Sequence, residues 1–399
     1  MHTLLSPAVQ ASLGGSSVIR KMFEQGIELK KKFGAENVYD FSLGNPDLPP
    51  PPAVREALLH IAQRLDRPRA LGYMPNAGYP QTREALAKLI SREQGVEVPA
   101  ANVLVTVGAA GGLNDFFRAT LTPGDEVLVP CPYFVEYGFY CGNFGGKLVP
   151  VPTDPEDFSL DLAAIEKAIT PRTRAIIINT PNNPTGQIYP AEDLRKLGDI
   201  LAKASEANGR TVFLVSDEPY RALNYEGAEL PSMFSVYANT VVVGSFSKTL
   251  CLAGERIGYV AVNPAIGPDA ADLMAGLVLA NRVLGAVNAP AIGQQILDEA
   301  CEAKVDVAVY RRRRDLMAKN LTDAGLRFFL PKGAFYFFVK TPTEDETVFI
   351  DALLREHVLA VPGRGFGQPG YMRLAFCVED EVIERAHDAF VRAMAPFRA

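Results

Sequence analysis

Val243-Gly-Ser-Phe-Ser-Lys-Thr-Leu-Cys-Leu-Ala-Gly-Glu-Arg-Ile-Gly-Tyr259 is the most telling stretch of the chain. Thr240 to Gly244 is β-branched and continuous in hydrophobicity, as a strand covered on both faces should be. A loop follows that presents Ser245, Ser247 and Lys248, and Arg256 stands just before a second strand-like run, Ile257 to Val262. Hydroxyls, an amine and a guanidinium gathered where a strand ends suit an anionic phosphate ester that also carries an aldehyde. The serines and Arg256 would hold the phosphate, and the Lys248 amine would condense with the carbonyl. A surface Ser-Lys-Thr turn is the commonplace alternative, and S-x-S-K alone would not exclude it. Arg256 in G-E-R-I-G-Y, eight residues past the lysine, argues against it.

Similar strand-like runs occur upstream: Val103 to Val107, Glu126 to Pro130, Lys147 to Val151, Arg174 to Ile178 and Thr211 to Ser216. Helix-like segments lie between several of them, at Gly111 to Ala119, Asp161 to Ala168 and Ala191 to Ala207. The alternation predicts an α/β fold with a mostly parallel seven-stranded sheet flanked by helices. The chain ends read differently. Gly333 to Lys340 and Tyr371 to Cys377 look like strands of a smaller sheet, with helices at Val348 to His357 and Glu379 to Met394. The expected division is an N-terminal arm and part of a small domain over 1–48, a large cofactor-binding domain over 49–289, and a C-terminal small α+β domain over 290–399.

Of the 399 residues, 48% are hydrophobic and 22% charged, which is the composition of an ordinary globular chain. A net charge of −6 argues against nucleic acid as a partner. The basic run Arg311 to Arg314 reads as one solvated helix face with some pairing to nearby acids. Five scattered cysteines without C-x-x-C spacing suggest reduced thiols rather than a disulfide framework, and four dispersed histidines suggest no metal site. No apolar stretch is long enough to span a bilayer and no signal-peptide pattern opens the chain, so a cytoplasmic protein is expected.

Four further segments carry chemistry-bearing residues. Asp217 ends a very apolar run in Val215-Ser-Asp-Glu-Pro-Tyr220, and by itself reads slightly better as a helix cap than as a functional charge. Asn179-Thr-Pro-Asn-Asn-Pro-Thr-Gly186 is a tight turn, in which a cis bond before Pro184 would aim Asn183 inward. In Val107-Gly-Ala-Ala-Gly-Gly-Leu113 the small residues Ala109 and Ala110 let backbone N–H groups approach a phosphate at a helix start. Arg373 in Tyr371-Met-Arg-Leu-Ala-Phe376 is an arginine amid apolar residues, costly unless paired.

Taken in order, these segments resemble the aspartate aminotransferase superfamily, the class I and II aminotransferases of fold type I, from about Phe41 to Phe376. The intact P-x-N-P-T-G from Pro181 carries much of the likeness, although Thr180 replaces the family's first asparagine. The resemblance implies pyridoxal 5'-phosphate as cofactor, joined to Lys248 as an aldimine, with Lys248 then moving the proton at the substrate Cα. Asp217 would bond the pyridine nitrogen, and Tyr220 and Asn183 the phenolic oxygen. Ser245, Ser247, Arg256 and the amides of Ala109 and Ala110 would hold the phosphate. Phe134, in Pro132-Tyr133-Phe134, would stack on the ring where several relatives use tryptophan. Arg373 would clamp the substrate carboxylate beneath a loop containing Gly44 and Asn45. Tyr73, in Gly72-Tyr-Met-Pro-Asn-Ala-Gly78, would reach the phosphate of a neighbouring subunit and so imply a homodimer.

The reaction so implied is ping-pong exchange between an L-amino acid and a 2-oxo acid such as 2-oxoglutarate. Aspartate is the first expectation, with alanine, an aromatic amino acid or a related lyase reaction behind it. Arg282 and Arg364 are the candidates for a distal carboxylate, each with a bland rival as a snorkelling helix arginine or a glycine-turn arginine in solvent. A non-catalytic sensor that binds the same cofactor would carry a DNA-binding module before Phe41, and that stretch is too short for one.

Overall fold

The computed structural model describes residues 4–7, 9, 10, 13, 17–225, 227 and 230–398. Its larger lobe is built on a seven-stranded sheet in the order 103–106, 258–262, 240–245, 213–217, 173–179, 126–131, 147–152. Every neighbouring pair is parallel except those made by Gly258–Val262, which runs antiparallel to both its neighbours. The connection over residues 246–257 holds only the one-turn helix Phe246–Thr249, not a helix long enough to cover the sheet as parallel crossovers usually carry. The strands are apolar on both faces, as the unbroken hydrophobic runs require. Ile176 and Ile178 pack into one helix-covered core while Ala175 and Ile177 pack into the other.

The smaller lobe holds a four-stranded antiparallel sheet in the order 361–362, 371–375, 336–340, 327–328. Helices Val307–Ala324, Glu346–Arg355 and His387–Met394 contribute to its core. Tyr39–Asp40 pairs in parallel with Val358–Leu359, which ties the N-terminal stretch into this lobe. The helix Ala291–Ala300 lies past the expected break at residue 290, yet it buries Ile296, Leu297 and Ala300 in the larger lobe's core. Core membership changes at Val305, the next buried apolar residue after Cys301.

The basic run is a solvated face only at Arg311 and Arg312, which are exposed. Arg313 and Arg314 are buried in the helix Val307–Ala324. Arg313 bonds Asp47 and Asp380 at 2.8 Å each, while Arg314 bonds Asp315 at 2.7 Å and the Pro331 carbonyl at 3.2 Å. Paired in this way, two guanidiniums become interior links between chain segments far apart in sequence. Among the described residues no helix is long and apolar enough to cross a membrane, and no group of acidic, histidine or cysteine side chains could hold a metal ion.

Candidate active site

The parallel strands end on one side of the large sheet, and a cavity of about 710 Å³ opens there against the smaller lobe. Asn179, Asp217 and Ser245 are each the last residue of a strand, and all three line it. Such sheets commonly present their ligands at the carboxyl ends of the strands. Lys248, three residues past a strand end, lies on the short helix Phe246–Thr249, capped by the Ser245 hydroxyl accepting from the Ser247 N–H at 3.2 Å.

The Lys248 amine donates to the Gly44 carbonyl at 2.8 Å and lies 5.5 Å from the Phe335 ring centre. Burial lowers its pKa to about 8, and the charges of Arg373 and Arg256 push the same way. Asp217 is buried, and its Oδ2 accepts from the Tyr137 hydroxyl at 2.5 Å. Burial raises its carboxyl to about 7 despite that bond, and Oδ1 has no partner among the described residues. The cap reading of Asp217 therefore fails: no helix follows the strand, and its one recorded side-chain bond comes from a tyrosine.

Arg373 is 4% exposed and pairs with no carboxylate among the described residues. One terminal nitrogen donates to the Ser42 carbonyl at 2.8 Å and the other to Asn183 Oδ1 at 3.2 Å, while Nε has no partner among the described residues. Its guanidinium lies between the rings of Tyr336 and Phe366, 4.5 and 4.8 Å from their centres. Asn183 is fixed in turn by its own backbone N–H, which donates to Asn179 Oδ1 at 2.7 Å. The Asn183–Pro184 bond is cis, as the turn suggested, and so are Cys131–Pro132 and Thr180–Pro181.

Gly108 opens the helix Gly108–Thr120 at φ +68°, and Ala109 and Ala110 line the cavity at its first turn. Arg256 is exposed and reaches over Gly108, held by a 3.0 Å bond to the Ala253 carbonyl. Phe134 lines the same cavity, edge-on to Tyr137 with ring centres 5.5 Å apart. Ser247, Tyr220 and Gly44 complete the set brought together within one chain. Tyr73 is not among them. It is 94% exposed and outside the cavity.

Residues 36–390 match the family described as Aminotransferase class I and II. The chain belongs to the class I and II aminotransferases. It is 35% identical over 398 residues to an aspartate/prephenate aminotransferase of Thermus thermophilus, covering 98% of each chain. It is 31% identical to aromatic-amino-acid aminotransferase 2 of Thermococcus litoralis, covering 95% of each. Among solved structures, an aminotransferase from Eubacterium rectale superposes with a TM-score of 0.95 at 38% identity over the whole of both chains. The aspartate aminotransferase of Thermus thermophilus with maleate gives 0.86 at 33% identity, covering 98% of this chain and 100% of that one. This aminotransferase is accordingly a pyridoxal-phosphate-dependent transaminase.

The residues present fit that cofactor. A buried carboxylate oxygen without a partner suits a protonated ring nitrogen, and it is the kind of group that is expensive to leave unmade. The helix start beside an arginine that has no ion pair among the described residues suits a phosphate. Arg364, by contrast, is committed elsewhere: it bonds Glu346 at 2.7 Å and Asp345 at 2.6 Å. Arg282 is exposed on the helix Asp269–Val283 and lines a separate groove. Motif reading missed Tyr137, Tyr336, Asn179 and Glu136, all of which line the cavity. Only Asn179 sat within a recognised motif. Tyr137 and Tyr336 take their partners from segments far away in sequence, Asp217 for the first and Tyr220 and Arg373 for the second.

Proposed function

We propose that this aminotransferase joins its cofactor through Lys248 and exchanges the amino group of an L-amino acid with 2-oxoglutarate or a similar 2-oxo acid, in two half-reactions. The observation that carries the reading is a lysine amine with its pKa lowered to about 8, sharing one cavity with the unpartnered Asp217 oxygen. When bound, pyridoxal phosphate supplies an electron sink for the pair left behind when the Cα–H bond breaks.

Each remaining part of the task falls to a residue of this chain. Lys248, its pKa brought down to about 8 by burial, takes the Cα proton and returns it one position along. Asp217, steadied by Tyr137, keeps the ring nitrogen protonated. Tyr220 and Asn183 bond the phenolic oxygen, Phe134 covers the ring, and Ser245, Ser247, Arg256 and the first amides of Gly108–Thr120 hold the phosphate. Arg373, with Gly44 nearby, binds the substrate α-carboxylate as a planar fork.

For the substrate, aspartate leads because relatives bear that name. Among the described residues the cavity's cations are Lys248, Arg256 and Arg373, and each has a task, so a distal carboxylate would need a cation from a second subunit. Arg282 is the candidate, and the exposure of Tyr73 likewise favours a homodimer with shared sites. An aromatic substrate is the second reading, favoured by Phe134, Phe139 and Tyr140 along the cavity wall. The test is the absorption spectrum of purified holoprotein titrated with single amino acids. Aspartate should bleach the visible band with alanine slower. Bleaching by aromatic amino acids alone would transfer the assignment, and protein that stays colourless with added cofactor would defeat it.

A further inference from the structure

Tyr336 was singled out by no motif, yet it touches three parts of the site. It opens the strand Tyr336–Lys340, which pairs with Tyr371–Ala375 so that Phe338 faces Arg373 and Tyr336 faces Ala375. Tyr336 and Arg373 are thus diagonal neighbours on one sheet face, within reach of an aromatic ring. The Arg373 guanidinium rests 4.5 Å from that ring's centre. The Tyr336 hydroxyl lies 2.9 Å from that of Tyr220, three residues past the large-sheet strand 213–217. The same hydroxyl lies against Gly44, where an added Cβ would overlap it, and Gly44 accepts from Lys248.

We propose that Tyr336 is a positioning residue with two separable parts: its hydroxyl orients the Tyr220 proton and its ring holds the Arg373 guanidinium. The proposal rests on the reading that Tyr220 meets the cofactor and Arg373 the substrate carboxylate. Of two facing hydroxyls, one donates and the other accepts. With Tyr336 donating, the Tyr220 proton is free to point at the cofactor's phenolic oxygen, and the chain of two bonds strengthens it as a donor. With Phe in place of Tyr336 that support disappears. The ring acts separately. Among the described residues Arg373 has no carboxylate to hold it, only two neutral acceptors and two aromatic rings. A desolvated contact of this kind fixes the fork before substrate arrives, which lowers the cost of binding.

Two variants of the holoenzyme separate the parts. Tyr336→Phe keeps the ring and loses the hydroxyl. The pKa of its visible absorption band should rise, on the order of half a pH unit, because the phenolic oxygen's negative form is less well bonded. Its Kd for 2-oxoglutarate should stay within about twofold of wild type, since the ring is kept. Tyr336→Leu loses both parts, and its Kd should weaken by roughly tenfold or more, with KM rising more than kcat falls. Melting temperatures taken on the same samples register any general loss of packing. An unmoved band pKa in Tyr336→Phe, or equal weakening of 2-oxoglutarate binding in both variants, overturns the proposal. If Lys248→Ala keeps the wild-type band, the parent reading falls as well, whereas a band lost in Lys248→Ala but unchanged in Tyr336→Phe sinks this inference alone.

Discussion

Replacing Gly108 by alanine puts the phosphate end of the site under the most specific strain the structure offers. Gly108 sits at φ +68°, a conformation costing an L-residue about 1–2 kcal/mol. The new Cβ would also stand 2.8 Å from Arg256 Nη2 and 3.3 Å from its Cζ, too close for either atom to remain. Because the obstructing group is the far end of a flexible, exposed side chain, the arginine should move rather than the helix. The two effects then appear in different measurements. Backbone strain should lower the apoprotein melting temperature by about 1–3 °C, small because a chain of this length melts with a large entropy. Losing a charge-assisted bond from Arg256 is worth about 1.5–3 kcal/mol, or roughly a ten- to hundredfold weaker cofactor Kd. Titration of apoprotein with pyridoxal phosphate, followed by absorbance, measures the second directly. Arg256→Ala should reproduce the loss of affinity without the strain. A Gly108→Ala protein that melts earlier but binds cofactor as tightly as wild type would refute the placement of Arg256 on the phosphate.

Three other expectations follow from the same geometry. Lys248 has its pKa lowered from 10.5 to about 8 by burial, so the fold favours its neutral form. Its contribution to apoprotein stability should be fully present above 10.5, fall as pH drops from 10.5 to 8, and level off below; acylation of this amine in apoprotein should show a midpoint near 8, and a midpoint above 10 would contradict the burial argument. Asp217→Asn removes the charge that keeps the ring nitrogen protonated. The visible band should persist while bleaching by substrate slows by about a hundredfold or more in stopped flow, and an unchanged rate would count against the role. Arg364→Ala removes the ion pair to the buried Glu346 carboxylate, leaving it the N–H groups of residues 364 and 370. Thermal unfolding should report a loss of about 1 kcal/mol, modest because Arg364 itself is half exposed. The ratio of aspartate to alanine kcat/KM should stay within about threefold, and a tenfold fall would restore Arg364 as the distal cation.

Much of this site could be read from sequence because its polar residues cluster at strand ends. Ser245, Lys248 and Arg256 fall within one loop between two apolar strands, and Asp217 and Asn183 each follow another. Unbroken β-branched runs identify covered strands whatever their order, so the antiparallel direction of Gly258–Val262 was not legible in them. Tyr137, Tyr336 and the buried pair Arg313 and Arg314 were illegible for a shared reason. Each gains its meaning from a partner far along the chain: Asp217 for Tyr137, Tyr220 and Arg373 for Tyr336, Asp47 and Asp380 for Arg313, the Pro331 carbonyl for Arg314. Local periodicity carries no trace of such pairings. For Asp217, local propensity leaned toward a cap, and only the depth of the strand end and the Tyr137 bond decided otherwise.

Borohydride reduction of the holoprotein, followed by digestion and mass spectrometry, tests the Lys248 assignment most directly. A pyridoxyl-phosphate mass on the peptide containing Lys248, and on no other lysine, is the expected result. The same mass on a different lysine, or none on protein that had bound the cofactor, would contradict the account at its base.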